Sequence, residues 1–346
     1  MLRHLGNTEP VKSIGVIGLG KMGILHSAIV NSLPNAHVKA ICETENLLVK
    51  LAKSLLPKTI AFYKDHMKMV ENEELDAVFI TTPIDTHSPL VIDLARANKD
   101  LSLFLEKPLA SSGDQAQRAC DAARELRGIH MVGFQKRFSP VFQHAKQLLQ
   151  NNSIGELMFF KASSFSSDVF NEGASWRFGR GKGGVLLDLA PHVLDIVLWL
   201  FGEPCSILGV KKPVYSSQVE DYAHAVMSFK TGVKGHVDVC WSVPGYRLPE
   251  LSIEIYGKNG SITVTDDFVK LQANGTDSTA SHAWYKQSFD TSVSYLLAEP
   301  EYTKEDETFL RHMSEHTLPE SSFYEAAKVN LLIDRINASA ENDRPC

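Results

Sequence analysis

The sequence lacks several features that nucleic-acid-binding, secreted and membrane proteins need. Its net charge is -6, and its charged residues form no block of like charge. We therefore expect neither a nucleic-acid partner nor binding to an anionic membrane. The polar stretch Met1 to Pro10 has no apolar core of signal-peptide length, and no apolar run elsewhere is long enough to span a bilayer. These absences indicate an ordinary globular protein.

Cysteine is scarce and scattered. The chain has an odd number of cysteines and no CxxC pair; they are Cys42, Cys120, Cys205, Cys240 and Cys346. Zinc sites and disulfide frameworks both need closely patterned cysteines, so neither is expected. We therefore predict a protein of the reducing cytoplasm that binds no metal.

Apolar residues, in contrast, are abundant, at 44% of 346 residues, which is enough to build two or three domains. Up to residue 134, short apolar runs alternate with helical stretches, which predicts a doubly wound parallel α/β sheet. Beyond it, neighbouring strands joined by short turns such as Lys230 to Gly232 predict an α+β domain with an antiparallel sheet. We predict domains at 1–134 and 135–346.

Two stretches of the second domain are predicted as loops. Gly173 to Gly184 is rich in glycine, and Leu271 to Ser292 is polar without a clear period. A helix from Val185 to Leu200 follows the first loop, and two helices, Lys304 to Glu315 and Ser322 to Ala340, are predicted to close the chain.

A glycine motif follows the first predicted strand. Val11 to Leu19 runs into Gly18-Leu19-Gly20-Lys21-Met22-Gly23, and the apolar stretch Ile24 to Leu33 then suits a helix. Gly18 permits the tight turn, Gly20 lets the backbone approach a pyrophosphate, and Gly23 allows close packing of helix and strand. Between a strand and a helix, this motif predicts a Rossmann dinucleotide site formed by residues 18–23, including Lys21 and Met22.

A carboxylate ends the next predicted strand. Glu43 follows His37 to Cys42 and stands twenty residues after Gly23, the spacing at which an acidic residue holds the ribose hydroxyls of NAD. Its charge would repel the 2′-phosphate of NADP, and no arginine follows nearby, so NAD is favoured. The alternative is an acid that stabilises the N-terminus of the next helix.

Polar residues also end the strand Ala77 to Ile80. Thr81, Thr82 and Pro83 suit a turn beneath the cofactor, although the same residues would equally build a simple turn. His87 begins the next helix, where it is either a contact to the cofactor or active site, or a structural histidine.

The tripeptide Glu106-Lys107-Pro108 closes the apolar run Leu101 to Leu105. Ligands of open α/β sheets bind beyond the carboxyl ends of the strands, so Lys107 is our central catalytic candidate. A cis Lys107-Pro108 bond is accessible to proline and would fix the direction of the amine. The alternative is a solvated charge pair at a strand end.

A second candidate pair lies on the predicted helix Val185 to Leu200. Asp188 and His192 are four residues apart, hence on one face, where a carboxylate and an imidazole can orient each other. Pro191 would remove one backbone hydrogen bond beside His192. Asp195 is taken as structural, and an ordinary buried Asp/His pair is the alternative to a catalytic one.

The order of these motifs resembles that of the Gfo/Idh/MocA oxidoreductases over nearly the whole chain. The motifs that carry the resemblance are Gly18 to Gly23, Glu43, Thr82-Pro83, Glu106-Lys107-Pro108, Gly133 to Phe138, Trp176-Arg177, and Gly183-Gly184 with Asp188 and His192. The resemblance implies that domain 1–134 binds NAD, and that domain 135–346 binds the substrate and carries a large, open, mainly antiparallel sheet. It also implies a homodimer or homotetramer.

The resemblance assigns roles to individual residues. Lys107, Asp188 and His192 match the catalytic lysine, aspartate and histidine of the family's sugar and inositol dehydrogenases. It implies that Glu106, Gln135 and Arg177 complete the cofactor site, and that Trp176 and Arg177 join the three catalytic residues in binding the substrate.

Three functions follow from this resemblance. The first is NAD-dependent oxidation of a secondary hydroxyl of a sugar, cyclitol or sugar derivative, or the reverse reduction, with His192 as general base, Lys107 polarising the reacting oxygen and Asp188 orienting both. The second is a transient oxidation that cleaves or eliminates from a glycoside and recycles NAD. The third is a non-catalytic regulator that senses a dinucleotide, which has no need of a proton relay.

Overall fold

The computed structural model describes residues 10–171, 176–179, 183–246, 248–273, 275–281 and 300–341. It forms two compact units. One comprises Met1–Leu109, Gln117–Gly133 and Leu297–Phe323, and the other comprises Ala110–Ala116, Phe134–Leu296 and Tyr324–Cys346. The division into a cofactor domain and a substrate domain after residue 134 stays a prediction.

Six parallel strands form the sheet of the first unit. They are β1 (Lys12–Ile17), β2 (Ala36–Cys42), β3 (Ala61–Tyr63), β4 (Ala77–Ile80), β5 (Ser102–Glu106) and β6 (His130–Gly133). Their order is β3-β2-β1-β4-β5-β6, and every neighbouring pair is parallel. The order reverses between β1 and β4, where doubly wound sheets open a ligand crevice. The predicted doubly wound parallel sheet is confirmed.

Local sequence explains how this sheet is connected and covered. The helices of this part of the chain are Lys21–Ser32, Asn46–Leu55, His66–Asn72, His87–Ala97, Gly113–Ala123 and Pro300–Glu315. Asp65 caps one of them by accepting hydrogen bonds from the N–H groups of Met67 and Lys68. Every residue of β4 and β5 is buried, as expected of parallel strands covered on both faces, and Phe79 stacks on Phe104 at 4.5 Å.

Eight strands form the sheet of the second unit. They are β7 (Leu157–Phe165), β8 (Ser206–Lys212), β9 (Tyr222–Ser228), β10 (Lys234–Cys240), β11 (Glu250–Gly257), β12 (Gly260–Thr265), β13 (Phe268–Ala273) and β14 (Thr276–Ser281). Their order is β14-β13-β12-β11-β7-β10-β9-β8, and β7 with β10 is the parallel pair among antiparallel ones. The predicted mainly antiparallel sheet is confirmed.

One face of this second sheet is packed and the other is partly exposed. Along β9 burial alternates strictly, with Ala223, Ala225 and Met227 turned inward. Phe160 of β7 stacks on Phe201, the last residue of the helix Ala190–Phe201, at 4.0 Å between ring centres. The core of this unit therefore lies between the sheet and that helix. The remaining helices here are Pro140–Gln150, Val185–Asp188 and Phe323–Glu341.

The loop predicted over Leu271 to Ser292 is wrong for its first part. Residues up to Ala273 complete β13, and Thr276–Ser281 forms β14 at the edge of the sheet. Asp277 to Ala280 are all exposed, so this edge strand has no buried face and hence no apolar alternation to reveal it. Residues 282–292 lie outside the described residues, as do 173–175 and 180–182 of the loop predicted at Gly173 to Gly184, and Met1 to Glu9 of the polar N-terminus.

The single helix predicted from Val185 to Leu200 is also corrected. The structure has two helices, Val185–Asp188 and Ala190–Phe201, separated by Leu189. Pro191 therefore lies in the first turn of the second helix, where its missing N–H has no intrahelical partner to lose. Asp188 and His192 therefore belong to two consecutive helices rather than to one.

Among the described residues, no helix is both long enough and apolar enough to span a bilayer. Cys42, Cys120, Cys205 and Cys240 are free thiols.

Candidate active site

The glycine motif has the geometry that the sequence predicts. Gly18 has a φ of 91°, which favours glycine. A Cβ on Gly23 would lie 2.0 Å from the carbonyl oxygen of Gly18, so helix and strand approach too closely there for any side chain. Gly20 is the N-cap of Lys21–Ser32, and a Cβ built on it meets no atom within 4 Å. The space in front of the helix N-terminus is open, which fits a pyrophosphate against backbone N–H groups.

Glu43 is held by backbone donors at the end of β2. Its Oε2 accepts the N–H of Leu19 over 2.6 Å, and its Oε1 accepts the N–H of Glu45 over 2.8 Å. The residue is 8% exposed. Thr44 Oγ1 also donates to Oε1, over 3.5 Å. Each carboxylate oxygen has two lone pairs, so Oε2 retains acceptor capacity for a hydroxyl group of a ribose. Glu43 thus fixes the glycine loop and fits the predicted role toward NAD.

The residues after β4 tie neighbouring loops together. Thr81 Oγ1 donates to the carbonyl oxygen of Gly18 over 2.8 Å, and Thr82 Oγ1 pairs with Thr86 Oγ1 over 2.6 Å. Pro83 begins the short helix Ile84–Thr86, whose Ile84 is buried. This turn therefore supports the glycine loop directly.

His87 bridges two of these loops. Its Nδ1 lies 2.8 Å from the carbonyl oxygen of Pro108, and its Nε2 lies 2.9 Å from that of Thr82. The ring is 1% exposed, and burial lowers the pKa of His87. His87 therefore supports the two loops, and a direct contact with the cofactor stays a prediction.

The Glu106-Lys107-Pro108 motif lies at the carboxyl end of β5, as predicted. The Lys107-Pro108 peptide bond is cis. Glu106 Oε2 accepts the N–H of Lys107 over 3.0 Å, and Glu106 Oε1 lies 3.1 Å from His26 Nε2. Burial alone would raise the pKa of Glu106, but the hydrogen bond and charge of His26 and the charge of Lys107 lower it. Glu106 is therefore a buried, ionised carboxylate and not part of a solvated charge pair.

In the second unit, Asp188 is bound by Arg177. The guanidinium Nε and Nη2 both lie 2.7 Å from Asp188 Oδ2, and Nη2 lies 3.4 Å from Asp168 Oδ2. The guanidinium carbon is 5.0 Å from the ring centre of Trp241, a fully buried side chain. Two carboxylates and an indole ring therefore orient Arg177. Sequence reasoning had missed Asp168 and Trp241, because neither belongs to a recognisable motif.

Glu220 anchors the helix that carries Asp188. Its carbonyl oxygen accepts the N–H of Val185, and its Oε1 accepts the N–H of Leu186, both over 3.0 Å. A Cβ on Gly184, whose φ is 98°, would lie 2.3 Å from the same Oε1. Burial raises the pKa of the Glu220 carboxyl. This residue was also missed, because it lies 32 positions after Asp188 and no local signal links the two.

The remaining predicted residues are placed as follows. His192 is half-buried in the first turn of Ala190–Phe201, and Gln135 is buried in the short helix Gln135–Phe138. Asp195 is buried and pairs with Arg137 at 2.7 Å, as suits the structural role predicted for it. The side chain of Trp176 lies outside the described part of the chain. Lys107 belongs to one compact unit, and Asp188 and His192 belong to the other.

Comparison with known families matches both halves of the chain. Residues 12–134 match the oxidoreductase family with an NAD-binding Rossmann fold, and residues 142–263 match the GFO/IDH/MocA C-terminal domain. The chain is 30% identical over 257 residues to scyllo-inositol 2-dehydrogenase (NAD(+)) of Bacillus subtilis, covering 72% of each protein. It is also 30% identical over 257 residues to myo-inositol 2-dehydrogenase of Thermotoga maritima, covering 72% of this chain and 74% of that one.

Solved structures support the same fold. Levoglucosan dehydrogenase in complex with NADH superposes with a TM-score of 0.84 at 24% identity, covering 96% of this chain and 97% of that one. The two family models together span most of the chain, and the two inositol dehydrogenases are 30% identical to it over more than two thirds of each protein. The chain therefore belongs to the Gfo/Idh/MocA family of oxidoreductases.

Proposed function

We propose that this oxidoreductase transfers a hydride between NAD and a secondary hydroxyl of a sugar, a cyclitol or a sugar derivative. The observation that carries the proposal is its likeness to two inositol dehydrogenases at 30% identity. The chain also retains Lys107, Asp188 and His192 together, which a sensor of dinucleotides would not need.

The chain's own residues would supply the proton chemistry. His192 takes the hydroxyl proton as general base, Lys107 donates to the reacting oxygen, and Asp188 orients them. Arg177 contacts one oxygen of Asp188 through Nε and Nη2, which restricts the rotation of the carboxylate and supports its role in orienting the other two. Bound NAD supplies the hydride acceptor.

The proposed preference for NAD over NADP rests on Glu43. This carboxylate is fixed by the N–H groups of Leu19 and Glu45, so it cannot turn away from a ligand at the end of β2. A fixed negative charge accepts hydrogen bonds from ribose hydroxyls and repels a 2′-phosphate. NAD is therefore favoured over NADP.

The test is formation of reduced nicotinamide, followed by absorbance, with NAD or NADP and a panel of inositols, free sugars, sugar phosphates and nucleotide sugars. Lys107→Met should lose turnover by at least about a hundredfold. The matched control is Lys99→Met, at an exposed lysine whose partner is Glu125 on the surface. Equal rates in the two variants would contradict the assignment.

Other outcomes identify the rival functions. Conversion of a glycoside without net NADH would indicate transient oxidation with recycled NAD. Tight NAD binding with no product from any member of the panel would favour the dinucleotide-sensing regulator. Signal with NADP equal to that with NAD would contradict the role given to Glu43.

We also infer that the protein is a cytoplasmic homodimer or homotetramer. The resemblance to the family supports the assembly, and the free thiols Cys42, Cys120, Cys205 and Cys240 are compatible with a reducing compartment. Light scattering on the purified full-length chain would measure its mass, and a monomer at micromolar concentration would contradict the proposed assembly.

A further inference from the structure

Three buried side chains are linked by hydrogen bonds at the Glu106-Lys107-Pro108 motif. His26 comes from the helix Lys21–Ser32, Glu106 from the end of β5, and Asp306 from the helix Pro300–Glu315. His26 Nδ1 lies 2.9 and 3.0 Å from the two oxygens of Asp306, and His26 Nε2 lies 3.1 Å from Glu106 Oε1. His26 and Asp306 have no exposed surface. This series of hydrogen bonds ends at Lys107, whose N–H donates to Glu106 Oε2.

Both ring nitrogens of His26 thus face carboxylate oxygens. An ionised carboxylate only accepts hydrogen bonds, so both nitrogens must carry hydrogen for both bonds to form. Burial alone lowers the pKa of His26, but the charges and hydrogen bonds of Asp306 and Glu106 raise it well above its usual value. The ring packs against Phe79 and Phe104, at 5.6 and 4.9 Å between ring centres, in an apolar surrounding that strengthens both bonds. Burial also raises the pKa of Asp306, and the charge and hydrogen bond of His26 oppose that shift. The contacts on both ring nitrogens favour an imidazolium between two carboxylates, because each buried charge then has a partner.

A metal ion is the alternative occupant of this cluster. Ligand atoms of His26, Glu305 and Asp306 lie within 4.8 Å of one another, and all three residues are buried. A histidine binds a metal through a lone pair of its neutral ring, whereas both nitrogens of His26 stand at hydrogen-bond distance from carboxylates. The contacts therefore favour the ion-paired ring over the metal.

We propose that His26 is a positioning residue for Lys107 and acts through Glu106. This proposal rests on the proposed function, in which the Lys107 amine meets the reacting oxygen. Glu106 binds His26 with one oxygen and the Lys107 backbone with the other. The imidazolium therefore fixes the plane of the carboxylate, and the carboxylate fixes the peptide from which the catalytic side chain extends.

Loss of His26 should affect the rate more than the binding of NAD. Without the imidazolium, Glu106 loses the partner of its Oε1 and can rotate, which releases the peptide of Lys107. A displacement of about 1 Å at a catalytic group costs on the order of a hundredfold in rate. The glycine loop and Glu43, which are proposed to hold the cofactor, do not depend on this hydrogen bond.

The experiment compares His26→Gln, Glu106→Gln and the double variant in the full-length enzyme, on the best substrate of the panel. Each single variant should lower kcat by about tenfold to a hundredfold. The double variant should lower it no further, because both residues act through the same series of hydrogen bonds. His26→Gln should keep its Kd for NAD within about threefold of the wild type.

His130→Gln is the matched control. His130 is also a buried histidine of the first unit, but its Nδ1 accepts the N–H of Phe323, away from the motif. This variant should keep kcat within about twofold. Equal losses in the His26 and His130 variants, a full rate in His26→Gln, or losses that multiply in the double variant would each overturn the proposal.

A second measurement decides the matter if His26→Gln does not fold. ¹⁵N NMR of the wild-type histidines should show one ring that stays doubly protonated at pH 8, and a neutral His26 at pH 7 would overturn the proposal. One equivalent of metal in the purified protein, bound at His26, would overturn it as well. If the wild type oxidises no polyol, the proposed function fails, while the NMR result still decides the state of His26.

Discussion

Arg177 donates through both Nε and Nη2 to a single oxygen of Asp188, at 2.7 Å each. A lysine keeps the charge but cannot present two fixed N–H donors in one plane. Arg177→Lys should therefore lower kcat by about tenfold, because Asp188 keeps its counter-charge and loses its orientation. Steady-state kinetics with the proposed substrate measure this loss, and the Kd for NAD shows separately whether Arg177 also contacts the cofactor, as the family resemblance implies.

Asp168→Asn is the control for this prediction. Asp168 is the more distant carboxylate of Arg177, at 3.4 Å, and its side chain is 41% exposed. Exposed ion pairs contribute only about 0 to 1 kcal/mol, so the substitution should change the rate by less than about fivefold. A larger loss in Asp168→Asn than in Arg177→Lys would contradict the view that Asp188 is the residue being oriented.

The first unit could be predicted from the sequence almost element by element, and the reason is physical. Its parallel strands are buried on both faces, so each one is a short apolar run with turn residues at its ends, as in Ala77–Ile80 before Thr81. The motifs were found for the same reason, since Gly18 to Gly23 and Glu106 to Pro108 lie directly at strand ends.

The second unit was predictable only where its strands have a buried face. β9 alternates and was found, whereas β14 is exposed along its described side chains and was taken for a loop. Pairings between distant residues left no local signal, as with Arg177 and Asp188, or His26 and Asp306, which are 280 positions apart. The break at Leu189 did leave a local signal, because proline is disfavoured inside a helix and favoured in its first turn, so Pro191 indicates that a new helix begins there.

Gly20 and Gly23 should respond to alanine in opposite ways. Gly20 has a φ of -68°, and its Cβ would enter open space, so Gly20→Ala should change the free energy of unfolding by less than about 1 kcal/mol. Its methyl group would instead meet the pyrophosphate and should weaken NAD binding by at least about tenfold.

The Cβ of Gly23→Ala, in contrast, would meet the Gly18 carbonyl oxygen at 2.0 Å. Because the backbone must shift, this variant should lose about 3 kcal/mol of stability or more, or fail to fold. Chemical denaturation and calorimetric NAD titration separate the two effects. Normal NAD affinity in a folded Gly20→Ala would place the pyrophosphate elsewhere.

His130 should make the protein less stable in acid. Burial lowers the pKa of His130 to about 4, whereas an unfolded histidine has its usual value near 6.5. Between these values the unfolded chain binds more protons, so stability falls as the pH falls from about 6.5 to 4, by about 3 kcal/mol from this residue. Urea denaturation across this range should show a shallower pH dependence in His130→Gln. His37→Gln, at an exposed position of β2, is the control for replacing a histidine with glutamine.

Arg137 and Asp195 form a buried ion pair, so replacing one of the two residues alone should destabilise the protein. The guanidinium donates from Nε and Nη2 to the two carboxylate oxygens at 2.8 and 2.7 Å, and both residues are buried. Arg137→Met leaves the carboxylate without its main counter-charge and should cost about 3–5 kcal/mol.

The pH dependence of that cost identifies its cause. Burial already raises the pKa of Asp195, and Arg137 opposes the shift. Once Arg137 is removed, the carboxyl group binds a proton more readily and the buried charge disappears, so Arg137→Met should be less destabilising at pH 5 than at pH 8. Arg137→Met combined with Asp195→Leu should recover most of the loss, because no charge is then buried. A loss that is the same at both pH values, and that persists in the double variant, would mean that the alkyl packing of Arg137 matters more than its charge.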